Sequence, residues 1–154
     1  MRGTRLLPTV FIALLACGGG NAAPPAGGAA AGPPAGGGLS AFEQENGIGP
    51  VTETVTLAPT PDHEMAEEGE EVFEQKCGAC HKMSEKYVGP ALGEVTKRRT
   101  AAYIMNMILN PQEMVERHPV AKQLLAEHMT FMPNQGLTKE QARQVVEYLR
   151  EKAD

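Results

Sequence analysis

Cys77-Gly78-Ala79-Cys80-His81 brings two thiols and an imidazole into one short stretch of chain. The cysteines are three residues apart, close to one turn of helix, so both sulfurs project from the same face, and His81 follows with no slack. Two such thiols can form thioether bonds to the two vinyl groups of one porphyrin while the imidazole binds its iron from below. C-x-x-C-H is the attachment pattern of a c-type haem. Two other chemistries use a bare C-x-x-C. A zinc site needs four ligands, and no second C-x-x-C or H-x3-5-H follows; a thioredoxin-like redox pair needs a βαβ pattern that the chain does not show.

A haem iron held by His81 has a sixth position, for which eight methionines and the histidines His63, His118 and His128 compete. Met132 is the favoured ligand, because Pro133 biases it away from helical angles and onto an extended strap that can present a thioether. Met129, three residues earlier, is the nearest rival and is expected to end the preceding helix and pack. Met83, Met105, Met107 and Met114 are expected in the core or lining the haem, and His118 and His128 as exposed polar residues. With both axial positions filled, no site remains for oxygen or peroxide, and no nucleophile–base constellation is evident. The expectation is a non-enzyme that passes electrons. A labile Met132 would leave five-coordinate iron, the condition for a haem peroxidase or gas sensor.

The elements that must position these groups read as helices. Asp62 is a candidate N-cap with Glu64, Glu67 and Glu68 following, where the helix dipole favours negative charge. From there Met65, Gly69, Val72, Phe73, Lys76 and Cys80 recur at helical spacing and lead into the haem motif. Thr138 with Gln141 forms a capping box for a terminal helix reaching about Lys152, with Ala142, Val145, Val146 and Leu149 as its apolar stripe beside Tyr148. Between them a short helix is expected over Leu92 to Arg99 and a stronger one over Ala101 to Leu109, stopped at Asn110-Pro111; Pro111 and Pro119 each suit a further first turn. Nothing there alternates as a strand would. Residues 41–62 read as a transitional N-terminal extension: Val51, Val55 and Leu57 could make one short extended piece, Pro59 and Pro61 forbid a continuous helix, and the segment is expected to lie against the back of the domain without joining the site.

The third cysteine, Cys17, closes a stretch that reads as an export signal: Arg2 and Arg5, an apolar run from Leu6 to Leu15, then Leu14-Leu15-Ala16-Cys17. That tetrad resembles a bacterial lipobox, which implies cleavage and lipidation at Cys17 and a membrane anchor on the periplasmic side. An ordinary signal cut nearby and an uncleaved anchor are the alternatives; the run is shorter than the roughly 20 residues of a spanning helix and contains Pro8. Residues 18–40 form a tether, almost wholly Gly, Ala and Pro as far as residue 38, with a root-mean-square reach on the order of 25 Å. Removing residues 1–17 takes away two arginines and moves the net charge from -5 to -7, so the mature chain carries no nucleic-acid footprint.

Residues 63–154 resemble a monohaem class I bacterial cytochrome c, through Cys77-Gly78-Ala79-Cys80-His81, then Gly89-Pro90-Ala91-Leu92, then Met132-Pro133, then a helix ending Tyr148-Leu149-Arg150. The resemblance implies an all-α fold of several helices around one covalent haem c. Its first and last helices would cross near Gly69 and Phe73 on one and Val145 and Tyr148 on the other. It also implies that the Pro90 carbonyl accepts a hydrogen bond from His81, that Leu92 lies in the haem environment, and that the monomeric domain carries single electrons. Its partners would be a quinol-oxidising complex and a haem-copper oxidase or another terminal reductase; a fixed electron-input module of one complex is the other arrangement. Lys82, Lys86, Lys97, Arg98 and Arg99 group after the motif, while Glu64, Glu67, Glu68, Glu70, Glu71 and Glu74 crowd the first helix. This separation either steers an acidic partner to a basic rim or is simply two solvated faces. Two stretches depart from the family pattern, 41–62 and the long run from Pro111 to His128. Both are expected to alter the outer surface and leave the haem ligands untouched.

Overall fold

A computed structural model describes residues 38–153. The signal-like segment, Cys17 and most of the Gly/Ala/Pro tract lie outside the described residues. Among the described residues seven helices are formed in order: α1 (Ala41–Asn46), α2 (His63–Lys76), α3 (Val95–Arg98), α4 (Ala101–Leu109), α5 (Pro111–Arg117), α6 (Pro119–His128) and α7 (Lys139–Glu151). No strand occurs among the described residues. No helix among them is long and apolar enough to cross a membrane.

The frame is the crossing of α2 and α7. Asp62 caps α2 by accepting from the Met65 N–H at 3.1 Å, and Thr138 with Gln141 makes the reciprocal capping box at the start of α7. Ala66, Gly69 and Phe73 of α2 are buried against the stripe of Ala142, Val145, Val146 and Leu149 on α7, and Phe73 meets the Tyr148 ring at 5.1 Å between centroids. Each fully buried Val or Leu here is worth about 2 kcal/mol over its exposed state. Gly69 is what lets the axes approach. A Cβ there would stand inside the backbone carbonyl of Gln144 and 3.0 Å from Tyr148 Cβ. Lys76, placed on this face by its spacing, is exposed, while Ala66 takes a buried position instead.

Buried charge ties the preceding loop to α7. Glu147, 1% exposed, pairs with Arg143 at 2.5 Å and with Arg150, and accepts from the Asp62 N–H at 3.3 Å; Arg150 also donates to the Ala58 carbonyl. A buried carboxylate with two guanidinium charges and the Asp62 N–H against it is compensated, and removing any one of them exposes that cost.

Residues 41–62 differ from expectation at their start. Ser40 and Glu43 close a capping box, with Glu43 accepting from the Ser40 N–H at 2.7 Å, and α1 forms where a transitional segment was expected. No extended ladder follows. Val51, Val55 and Leu57 pack onto the main core, and Asn106 of α4, fully buried, binds the segment edge-on. Its amide donates to the carbonyls of Asn46 and Val51 at 3.0 and 2.9 Å, and its oxygen accepts from the Val51 N–H at 2.9 Å. A second small core of Ile48, Tyr103, Met114 and Ala121 joins this segment to α4, α5 and α6.

The helix expected over Leu92 to Arg99 is only the turn of α3. The Leu92 and Gly93 N–H groups donate to the carbonyls of Lys82 and Met83, which holds that backbone against the loop after the haem motif instead of in a helix.

Candidate haem-binding site

Cys77 ends α2, and the turn that follows carries Cys80 and His81, whose N–H groups both donate to the Cys77 carbonyl at 2.9 Å. The chain then loops out to Tyr87 and returns, and the Gly89 N–H donates to the Cys80 carbonyl. This return places Pro90 beside His81. The imidazole Nδ1–H donates to the Pro90 carbonyl at 3.0 Å, which fixes the ring and leaves Nε2 with its lone pair free. Gly89 is the cradle for that ring: a Cβ there would lie 2.5 Å from His81 Cε1 and 2.8 Å from Nδ1. Burial holds the His81 pKa below the ordinary imidazole value; the bond to Pro90 opposes this and the charge of His128 adds to it. The ring is thus neutral at neutral pH, as a ligand must be. Burial pushes the Cys77 thiol up to about 11, with Cys80 adding a smaller push. That position favours an uncharged sulfur, which a thioether is.

Cys77, Cys80 and His81 open onto one large, mainly apolar cavity. Pro90 and Leu92 line it from the His81 side, Ile104, Met107 and Ile108 from α4, Val145 and Leu149 from α7, and Thr130, Phe131 and Met132 from the strap after α6. Met132 is half-buried in that wall. Met129 ends α6 in the left-handed conformation, at φ 53°, and is 85% exposed; it caps the helix as expected but does not pack. Of the remaining methionines, Met107 lines the cavity, whereas Met105 and Met114 are buried core and Met83 packs on the main core from outside.

Three expectations need correction. His118 is 1% exposed, its Nε2 bonded to the Gln44 carbonyl at 3.1 Å and its ring edge-on to Tyr103. The His128 side chain is 5% exposed and lines the cavity. Polar residues read as solvated faces are therefore interior, because α5 and α6 fold back on α4 instead of standing outside it. For the same reason the stretch from Pro111 to His128 is a wall of the site and not only an outer surface: Ala121, Leu124, Leu125 and His128, at spacings of three and four, present one face of α6 to the cavity. That spacing was the available signal.

The residues present fit a haem. Two sulfurs at its edge, a fixed neutral imidazole and an apolar interior match the needs of a porphyrin. Tyr103 Oη and His128 Nδ1, both buried and both on residues lining the cavity, have no protein partner. A zinc reading has no support in the ligand set, since no group of three or more His, Cys, Asp or Glu side chains among the described residues is placed to hold an ion. Without strands among the described residues, the thioredoxin-like reading also has no frame.

Residues 66–152 match the family model described as Cytochrome c. The chain belongs to the cytochrome c family. It is similar to the solved cytochrome c from Rhodothermus marinus at 48% identity, over 72% of this chain and 95% of that one, with a TM-score of 0.68. An engineered form of that protein, Rma TDE, matches at 47% identity, over 72% of this chain and 96% of that one, with a TM-score of 0.68. The same engineered protein described as bound to a carbene intermediate matches at 46% over the same shares, with a TM-score of 0.65. No curated protein sequence matches. The helical fold is that of a small cytochrome c, and the cofactor is one covalently attached haem c, for which Cys77 and Cys80 are both present. The family's work is electron transfer through that haem.

Proposed function

We propose that this cytochrome c is a single-electron carrier whose haem iron is ligated by His81 and Met132. The observation that carries the reading is that His81, with Nδ1 committed to Pro90, and Met132, on the strap, line the same apolar cavity as the two cysteines. The haem would supply the one-electron couple. The residues would do the rest: His81 donates a lone pair, Met132 a soft thioether that favours the ferrous state and raises the reduction potential, and the apolar walls exclude water. With both axial positions filled the protein is a carrier and not an enzyme. Cys17 would carry the lipid and residues 18–40 the tether, keeping the domain at the periplasmic face of a membrane.

At the cavity mouth Val88 and Phe131 are exposed while lining the interior, with exposed Tyr87 and the cations Lys82 and Lys86 close in sequence; Lys82 Nζ lies 5.3 Å from the Tyr87 ring centre. An apolar rim with positive neighbours suits a partner with an apolar patch ringed by carboxylates, such as a quinol-oxidising complex on one side and a terminal oxidase on the other. Incubating the reduced or oxidised protein with membranes tests this. The reading expects quinol-dependent reduction, oxidase-dependent reoxidation, and rates that fall with ionic strength; failure to exchange electrons with either complex would remove it.

A second reading, a site that opens for peroxide or a small gas, is favoured by the strap itself, where residues 130–137 make no backbone–backbone hydrogen bond among the described residues. It requires high-spin ferric iron in the resting protein.

A further inference from the structure

Besides the methionines, the sequence offers three histidines for the sixth iron position, and the fold separates them. His63 stands at the exposed start of α2, its Nδ1 3.0 Å from a Glu151 carboxylate oxygen. His118 is committed to the Gln44 carbonyl and is not among the residues lining the haem cavity. His128 does line it, with a side chain only 5% exposed. Among the described residues its Nδ1 is buried without a hydrogen-bond partner, and the Glu127 carboxylate stands 3.8 Å from Nε2, beyond hydrogen-bonding distance. The other charged side chains of the lining are Lys76, Arg98 and Arg99, so no Asp or Glu there accepts from the ring. In turning to a metal this imidazole gives up at most a loose ion pair.

Its place in the chain supplies the rest. His128 ends α6, and Met132 follows four residues on. Between them Met129 sits at φ 53°, a conformation that L side chains rarely adopt, and residues 130–137 make no backbone–backbone hydrogen bond among the described residues. α6 itself is held at both ends: Ala121 is fully buried in the second core, and Lys86 Nζ donates to the Glu127 carbonyl at 3.4 Å, tying the helix end to the loop after His81. The strap can therefore withdraw Met132 while α6 keeps His128 in place. His81 has Pro90 at Nδ1 and Gly89 against its ring, so its free Nε2 faces the cavity that His128 and Met132 share. The two imidazoles are close enough for charge on His128 to depress the His81 pKa. We propose that His128 is a reserve sixth ligand: when the strap lifts Met132 away, the His128 imidazole binds the iron opposite His81. An iron–sulfur bond breaks, an iron–nitrogen bond forms, and no electron is transferred. The thioether suits ferrous iron and the imidazole ferric, which links the exchange to oxidation. The proposal rests on the haem-carrier reading and changes what loss of Met132 does. The site closes on a second imidazole instead of opening to peroxide or a small gas.

Electron paramagnetic resonance of the ferric holoprotein tests this in Met132→Ala and in Met132→Ala/His128→Leu. The expected result is the low-spin signal of two imidazole ligands in the first and high-spin iron in the second, with low spin restored when imidazole is added to the second. Cyanide should bind the double variant on the order of tenfold faster or more, because no internal ligand has to leave. A second measurement keeps Met132 in place. As urea is raised toward the unfolding transition, the sulfur-to-iron band of the parent should give way to a low-spin spectrum, and that of His128→Leu to a high-spin one. High-spin iron in Met132→Ala, low-spin iron that survives loss of His128 in either experiment, or a parent band that persists until the chain unfolds would overturn the proposal. Failure of the underlying reading would look different: the parent protein would show no thioether-bound haem in its alkaline pyridine spectrum, or no sulfur-to-iron band before any urea is added.

Discussion

His81 and Met132 line one cavity, but the chain holds them by different means. On the His81 side the constraint is backbone: the turn from Cys77 closes on its own carbonyl, Gly89 returns to Cys80, Leu92 and Gly93 return to Lys82 and Met83, and the whole unit hangs from the α2–α7 crossing. On the Met132 side, residues 130–137 are held by side chains, with Asn134 donating to the Leu109 carbonyl at 2.9 Å and accepting from the Gly136 N–H at 2.8 Å. The proposed proximal ligand is thus set by the fold, and the proposed distal ligand by a segment that can open at lower cost.

If the crossing is the stiff half, damage there should be the most severe. Gly69→Val should cost at least about 3 kcal/mol, because its side chain meets the Gln144 backbone and a helix must move; loss of the thermal transition or a large drop in its midpoint checks this. Asn106→Leu comes next at about 3 kcal/mol, since it strands the Val51 N–H and two carbonyls in the interior, and chemical denaturation measures it. Gly89→Ala should cost about 1–3 kcal/mol and lower the yield of attached haem by pushing the His81 ring from its place, read as haem absorbance per protein. Asn134→Ala should cost only about 1 kcal/mol in global stability yet speed binding of an added ligand such as cyanide to the ferric protein, which would sharpen the distinction between the two sides. The smallest effect is expected at the start of α1. Ser40 holds the Glu43 carboxyl below its usual value, so its contribution is complete above that value and is lost as pH falls through the depressed one. Glu43→Gln should flatten the acid limb of stability in melts taken down the pH scale.

What could be read from the sequence follows the same division. Where caps, periodicity and the haem motif coincide, as in α2, α4 and α7, local preference and tertiary packing agree, and the elements appear close to where residue spacing places them. Ser40 and Glu43 carried a capping signal too, but six residues beside a Gly/Ala/Pro tract do not make a helix without the core that Asn46, Ile48 and Val51 find on α4. His118 and His128 depart from expectation because a polar residue type says less about burial than the position it occupies on its helix. Ala121, Leu124, Leu125 and His128 recur at helical spacing, and only the folding back of α5 and α6 shows that this face turns inward. Charge along the sequence likewise said nothing of the cavity, whose cations come from separate elements and meet only in the fold.

The most direct test of the account is the ferric absorption spectrum of the holoprotein and of Met132→Ala. A low-spin parent with a weak sulfur-to-iron charge-transfer band, lost in Met132→Ala while the haem stays attached, is the predicted result. High-spin iron in the parent, or a band that survives the substitution, would contradict it.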